Sequence, residues 1–351
     1  MLNQIQIKDK FIGNNAPCFI VAEIGINHNG DMQLAKETIL AAKQAGADAV
    51  KFQNYETEDF ILDKNLTYEY ISNGKKVVET QYEMFKRYEL SFEQLEELKK
   101  YADEVGIIFF STPTSLRGIQ DLERLEVPLL KNGSDFLVNL EIIAQMAKTG
   151  IPTVISTGMA TLAEIDEAVR AFEQAGGKKL IILHCISSYP TPPEEVNLLK
   201  IRSLQSAFNY PVGFSDHTEG VVAAIGAVAL GACFIEKHFT IDNNLEGPDH
   251  RFSSNPKEFR ELVEAIRFLE KAMGSSKIAP TQKEEFGRLN FRLSCVAKRN
   301  LSKGETIKKE DVAFSRPATG IPPKFVEFLI GKKLLKDVKA GEPFQFNILT
   351  L

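Results

Sequence analysis

Long apolar runs are missing from this chain of 351 residues, and so are a surplus of basic side chains and any cysteine pair spaced as C-x-x-C. Each absence removes a class of function. No stretch approaches the roughly 20 apolar residues of a membrane-spanning helix. The opening MLNQIQIKDK has no apolar run behind a basic start, as a secretory leader would. The expected location is therefore the cytoplasm, away from membranes. Lys and Arg number 42 against 47 Asp and Glu, a net charge of −5, so there is no electrostatic footprint for a nucleic-acid backbone. The four cysteines, Cys18, Cys185, Cys233 and Cys295, read as buried free thiols, because three of them sit inside apolar, strand-like runs.

What is present is globular. Hydrophobic residues at 44% and charged residues at 25% are near the averages of packed domains, and the length suggests one large domain plus one small one. Apolar runs of strand length recur eight times: 18–26, 49–53, 106–113, 128–134, 152–158, 180–187, 211–217 and 233–240. Segments with apolar residues at three- and four-residue spacing lie between them, including 32–45, 92–105, 139–149, 161–175, 219–230 and 256–273. Thr161 and Glu164 form a capping box, and Pro256 suits a first helical turn. This alternation predicts a parallel α/β architecture. A closed (β/α)₈ TIM barrel is preferred over an open sheet, because every strand ends in polar residues, as a barrel mouth requires. The stretch 54–90 is too long for an ordinary βα loop and reads as a lid or an oligomer contact. Periodicity breaks over 275–290, a polar linker. The expected domains are thus a barrel over 1–274 and a small β-rich module over 291–351, with its β-like pieces divided by the turns SKGE and KAGE.

The strand ends supply the candidate chemistry: Glu23, Asn27 and His28; Lys51 and Gln53; Ser111 and Thr112; Lys131 and Ser134; Ser156 and Thr157; His184 with Ser187, Ser188 and Tyr189; Ser215, Asp216 and His217; Glu236, Lys237 and His238. A Ser or Thr alone at such a place is usually a helix cap. Two lysines together with Thr112, Ser134, Ser156 and Ser215 suit a small substrate bearing phosphate and carboxylate. A lone histidine is usually a structural hydrogen-bonder. His217 and His238, however, end adjacent strands and could share one metal, with nitrogen and oxygen ligation fitting Mn²⁺, Mg²⁺, Co²⁺ or Zn²⁺. Glu23, Glu236 and Asp249 are carboxylates that could complete the metal shell, move protons or simply be salt-bridged.

The strings AEIGINHNG, GADAVKFQ, STP, KNGS, VISTGM, LHC with YPTPPE, GFSDHT, LGACFIEKHFT and GPDH, in this order, resemble the sialic acid synthase family. The tail KGETIKKEDVAFSRPATGI with LIGKKLLKDVKAGEPF resembles that family's antifreeze-like (SAF) domain. The resemblance implies an enzyme that condenses phosphoenolpyruvate with an N-acylated hexose and water, giving a nine-carbon 2-keto acid and phosphate. It implies that Lys51, Thr112, Lys131, Ser134, Ser156 and Ser215 hold phosphoenolpyruvate and that His217 and His238 hold a divalent metal, Mn²⁺, Mg²⁺ or Co²⁺. By the same resemblance Glu23 is the acid near the reacting carbon, while Gln53, Tyr189 and Asp249 hold the sugar. Arg316 is the residue that the small domain inserts into a partner's barrel, which implies a domain-swapped homodimer. Removing Lys51 or Lys131 is then expected to weaken phosphoenolpyruvate use far more than folding.

Departures fall on the sugar side. GSDF replaces the GSGE often seen, so Phe136 stands at the sugar-contacting glutamate with Asp135 beside it. Ser187 stands where asparagine is frequent, and KFQNY replaces KHQTH. The acceptor therefore stays open among N-acetylmannosamine, its 6-phosphate, 2,4-diacetamido-trideoxyhexoses and mannose. Two other functions are compatible with the residues: a Schiff-base pyruvate aldolase using Lys51 or Lys131, and a carbohydrate-binding protein without turnover.

Overall fold

The computed structural model describes residues 4–72 and 74–350; the outermost ends of the two expected domains, 1–3 and 351, lie outside the described residues. The chain divides into two compact units, Met1–Gly274 and Ser275–Leu351.

In the first unit eight parallel strands close into a barrel. They are β1 (Phe19–Gly25), β2 (Ala49–Asn54), β3 (Ile108–Pro113), β4 (Leu130–Asn132), β5 (Thr153–Ser156), β6 (Leu180–Cys185), β7 (Val212–Asp216) and β8 (Phe234–His238). Each pairs with its neighbour in sequence, and β8 closes on β1. Every residue of β1 is buried, as a strand covered on both faces requires. Alternation sends Ile20, Ala22 and Ile24 toward the helices, where they join the larger core. Phe19 and Val21 point to the barrel axis and pack with Phe110, Val154, Ile181, Leu183 and Phe234.

An antiparallel hairpin, Ile5–Ile7 with Lys10–Ile12, precedes the barrel and has no counterpart in the strand pattern read from sequence. Its Ile5, Ile7 and Ile12 are buried in that same axial cluster. Burying each such side chain contributes about 1.5–3 kcal/mol. The hairpin thus plugs the barrel at the end where the strands begin and leaves the opposite mouth open.

Helices cover the barrel where the apolar period places them. Asp31 caps Met32–Ala45 by accepting from the amides of Gln33 and Leu34. The Thr161/Glu164 capping box starts Leu162–Gln174, and Asn255 with Glu258 starts Pro256–Met273. The stretch after β2 is structured: a short helix Thr57–Phe60, a hairpin of Thr67–Ser72 with Lys75–Thr80, and a helix Gln81–Tyr88. Ser72 Oγ accepts from the Gly247 amide at 3.0 Å, tying the hairpin to the loop after β8.

In the second unit Ser294–Ala297 pairs antiparallel with Val312–Ser315. The segment KKLLKDV makes isolated bridges, such as Thr306 with Lys333 and Leu301 with Val338, and forms no full strand. The core gathers Cys295, Leu301, Ile307, Leu329, Leu334 and Phe344. The stretch 275–290 is not all irregular linker, since Glu284–Asn290 is helical. Among the described residues no helix is long and apolar enough to cross a membrane.

Candidate active site

Strand register assembles the site. Glu23 pairs with Lys51 across β1 and β2, and Ser215 pairs with Glu236 across β7 and β8. Both pairs turn inward where the apolar axial layer ends. A bulge at Glu23/Gly25 shifts the end of β1. Gly25 has φ +53°, a left-handed conformation that costs glycine little.

The floor of the mouth is a buried chain of charge. Lys51 Nζ lies 2.8 Å from Glu23 Oε2 and 3.9 Å from Glu236 Oε2, and it donates to Thr112 Oγ1 at 3.1 Å. Lys131 donates to Glu236 Oε1 at 3.2 Å, an oxygen that also accepts from Ser215 at 2.9 Å. The two carboxyls are driven apart. Burial raises that of Glu23, and Lys51 reverses this only in part, so its pKa lies above the ordinary carboxylate range. Burial also opposes charge on Glu236, but Lys131 and Lys51 outweigh it and hold the group ionised. Lys51 stays an ammonium for the complementary reason: burial disfavours its charge, and Glu23 and Glu236 restore it.

Two histidines stand beside this floor. The ring centroids of His217 and His238 are 5.3 Å apart. His217 Nδ1 is 2.7 Å from the Ile186 carbonyl oxygen, a contact that requires Nδ1–H and leaves Nε2 with the lone pair in the neutral ring. His238 Nδ1 is buried without a hydrogen-bond partner and lies 3.6 Å from Asp249 Oδ2. Burial, then the neighbouring His217 and Lys51, press the His238 pKa well below its ordinary value. Burial raises the Asp249 carboxyl to about 6. Burial opposes charge on His217, but Cys185 and the Ile186 carbonyl outweigh it and raise its pKa. The neutral His238 with its orphaned buried nitrogen, beside the ring of His217, fits a divalent cation. The fit is to a pair of ligands, since among the described residues no group of three or more His, Cys, Asp or Glu converges on one point.

These residues line one cavity of about 350 Å³. Glu23, Lys51, Gln53, Thr112, Lys131, Ser134, Ser156, Tyr189, Ser215, His217, His238 and Asp249 all border it. Ser134 Oγ accepts from the Gly158 amide at 3.0 Å. A Cβ on Gly158 would collide with Ser187 Oγ and come within 2.7 Å of Ser134 Oγ, so glycine lets the β5 loop approach. Ser156 Oγ is buried and unpartnered. The Tyr189 ring packs against His217 with centroids 4.2 Å apart and the ring planes tilted by 37°.

Other strand-end residues serve the scaffold. His184 Nε2 meets the Val196 carbonyl oxygen at 2.7 Å, His28 Nδ1 accepts from the Gly30 amide, and Thr157 donates to the Leu183 carbonyl. Arg316 belongs to the second unit, where it is exposed and its guanidinium lies 5.5 Å from the Phe291 ring centre.

Glu236 is more central than the sequence reading made it. The signal was legible, because it stands two residues before His238 on one strand and so shares its face. Cys185, whose Sγ is 3.9 Å from His217 Nδ1, carries the same signal, two residues after the axial Leu183 on one strand. The cavity wall of Tyr55, Phe60, Met84 and Phe85 had none, since long-range packing alone aims it here.

Residues 38–278 match the NeuB family and residues 294–349 match the SAF domain. The chain is 46% identical over 336 residues to an uncharacterised protein of Methanocaldococcus jannaschii, covering 96% of each. It is 41% identical to the N,N'-diacetyllegionaminic acid synthase of Legionella pneumophila, covering 94% of each. The crystal structure of an N-acetylneuraminic acid synthetase from Leptospira borgpetersenii superposes with a TM-score of 0.74 at 34% identity, covering 82% of this chain and 95% of that one.

Proposed function

The chain belongs to the NeuB family, and we propose on that premise that its cavity joins phosphoenolpyruvate to the aldehyde carbon of an open-chain N-acylated hexose. It is a nonulosonic acid synthase, a carbon–carbon bond-forming transferase. The observation that carries this reading is the buried Lys51–Glu236–Lys131 array, with unpartnered Ser156 Oγ nearby on the same cavity and a neutral histidine beside it. Such an array holds a small polyanion next to a cation site.

Lys51 and Lys131 bind the phosphate and carboxylate, and Thr112, Ser134, Ser156 and Ser215 add hydroxyl donors. Glu236 keeps both ammonium groups in place before substrate arrives. His217 and His238 would hold the divalent cation, Mn²⁺, Mg²⁺ or Co²⁺. Bound there, it supplies a Lewis acid for the aldehyde oxygen. Gln53, Tyr189 and Asp249 orient the sugar, so that C3 of phosphoenolpyruvate meets the aldehyde carbon. The new C–C bond leaves an oxocarbenium at C2 and an alkoxide on the former aldehyde carbon. Glu23, with its raised pKa, accepts a proton from the water that adds at C2, and the alkoxide in turn takes up the proton that this water releases. The resulting hemiketal loses phosphate by C–O cleavage, and the lysines stabilise the departing charge.

The aldolase alternative needs a neutral amine, whereas Lys51 is held as an ammonium. Borohydride trapping with pyruvate separates the two chemistries. Arg316 completes the site from the small domain of a partner subunit in a homodimer. Its exposure on a loop of the second unit supports this. The enzyme works in the cytoplasm, where phosphoenolpyruvate is made. Phosphate release from phosphoenolpyruvate that depends on an N-acyl hexose tests the reading, and release without any sugar dependence would overturn it.

A further inference from the structure

The floor and the histidine side of the cavity are polar, whereas residues 54–90 raise an aromatic patch in its wall, with Tyr68 and Gln81 at the patch's side. Phe60 and Phe85 meet edge to face with centroids 5.1 Å apart, and Tyr55 contacts them at 5.6 and 5.5 Å. Phe136, after β4, faces Phe60 at 6.4 Å, and Met84 fills the same surface. The Tyr55 hydroxyl donates to the Phe85 carbonyl at 3.1 Å and is thereby occupied within the wall. Phe60, Phe85 and Phe136 are each only partly buried and border the cavity.

This wall stands over β2 to β4, whereas the histidines end β7 and β8, on the far side of an eight-stranded ring. A sugar with its aldehyde at the histidines therefore extends toward the wall. Among the described residues lining the cavity, the only Lys or Arg side chains are Lys51 and Lys131, and both belong to the floor. The patch formed by Phe60, Phe85, Phe136 and Met84 offers a hydroxyl or a phosphate no hydrogen-bonding side chain in exchange for lost water, while a methyl group gains from contact with its aromatic rings; Tyr68, Gln81 and Asp135 border the cavity beside the patch.

Resting on the condensing reaction described above, we propose that the Phe60–Phe85–Phe136 wall is the acceptor's specificity filter. It receives a methyl terminus, so that the substrate is an N-acylated deoxy sugar and hydroxymethyl or phosphorylated termini are disfavoured. A hydrophobic surface discriminates against an added hydroxyl by roughly tenfold to a hundredfold.

The test compares N-acetylmannosamine, its 6-phosphate and a 2,4-diacetamido-trideoxyhexose with a methyl terminus. Phosphate release gives kcat/KM for each, and calorimetry gives the affinity of their borohydride-reduced forms, which cannot react. The wild-type enzyme should prefer the methyl-terminated sugar by about tenfold or more, carried mainly by KM, with the reduced sugars binding in the same order. Phe136→Leu should keep the preference. Phe136→Glu should narrow it or reverse it toward N-acetylmannosamine while the KM for phosphoenolpyruvate stays put. Equal kcat/KM for hydroxymethyl and methyl termini, or an unchanged ratio in folded Phe136→Glu enzyme, would overturn the filter. Absence of phosphate release with every sugar would overturn the condensing reaction instead, and the order of reduced-sugar binding would still decide for or against the wall.

Discussion

Asp216 Oδ2 and Lys237 Nζ meet at 2.9 Å in the barrel wall, both almost wholly buried, and each immediately precedes one of the paired histidines, His217 and His238. Lys237 also donates to the Thr218 carbonyl at 2.7 Å, and Asp216 accepts from the Thr218 amide and hydroxyl. Because side chains alternate along a strand, the ion pair lies on the opposite face from the histidines and clamps the ends of β7 and β8 in register. Asp216→Asn strands a buried ammonium and should cost about 3–5 kcal/mol in denaturant unfolding. An apolar pair, Asp216→Leu with Lys237→Met, should recover part of that stability yet still need more divalent cation for half-maximal rate. An unchanged cation requirement in the double variant would reduce the pair to a purely structural role.

Turnover should vanish with a chelator and return with Mn²⁺, Co²⁺ or Mg²⁺, because His217 and His238 alone cannot polarise an aldehyde. His217→Ala and His238→Ala should each raise the cation concentration needed. Full activity of metal-free protein would remove both residues from ligand roles.

Lys51→Ala and Lys131→Ala should each raise KM for phosphoenolpyruvate and lower kcat. The buried ion pairs add a folding cost that strand-end position alone did not suggest. Lys51→Ala leaves Glu23 without its nearest ammonium and Glu236 with Lys131 alone, and should destabilise by up to about 3–5 kcal/mol. Glu23→Gln in the same chain should relieve part of that cost without restoring activity. Near-normal phosphoenolpyruvate use by either lysine variant would withdraw that lysine from the substrate.

The pH profile should report Glu23. Burial, partly offset by Lys51, raises its carboxyl, and a base must be ionised to accept the proton of water. Activity should therefore fall as pH drops through this raised pKa, placing the acid limb of kcat/KM, which reports the free enzyme, above that of an ordinary carboxylate. Glu23→Asp should retain a limb at reduced rate. A limb at the ordinary carboxylate position would assign the base elsewhere.

Mixing Arg316→Ala chains with Lys131→Ala chains, each nearly inactive alone, should regenerate sites that hold both residues. With random exchange about half the dimers are mixed, each with one intact site, so activity should approach about a quarter of wild type. No recovery after verified subunit exchange would mean that Arg316 acts within its own chain or not at all.

Much of this molecule was legible before any coordinates, because a barrel strand buried on both faces and a helix on its surface carry different apolar periods. Runs such as FIVAEIG and LIILHC, alternating with capped helical segments, determine eight strands, and alternation determines that Glu23, Lys51, Ser215 and His217 share the inner face. Tertiary structure decided the rest. Ile5, Ile7 and Ile12 look like any short apolar scatter until a closed barrel offers an axial cavity to fill. Lys51 and Glu236 are separated by most of the chain, and only closure of β8 on β1 brings them to 3.9 Å, the proximity that helps hold one carboxyl ionised while burial lifts the other. The aromatic wall is the clearest case: Tyr55, Phe60, Met84, Phe85 and Phe136 carry no common period, and their shared surface exists because separate loops fold over one mouth.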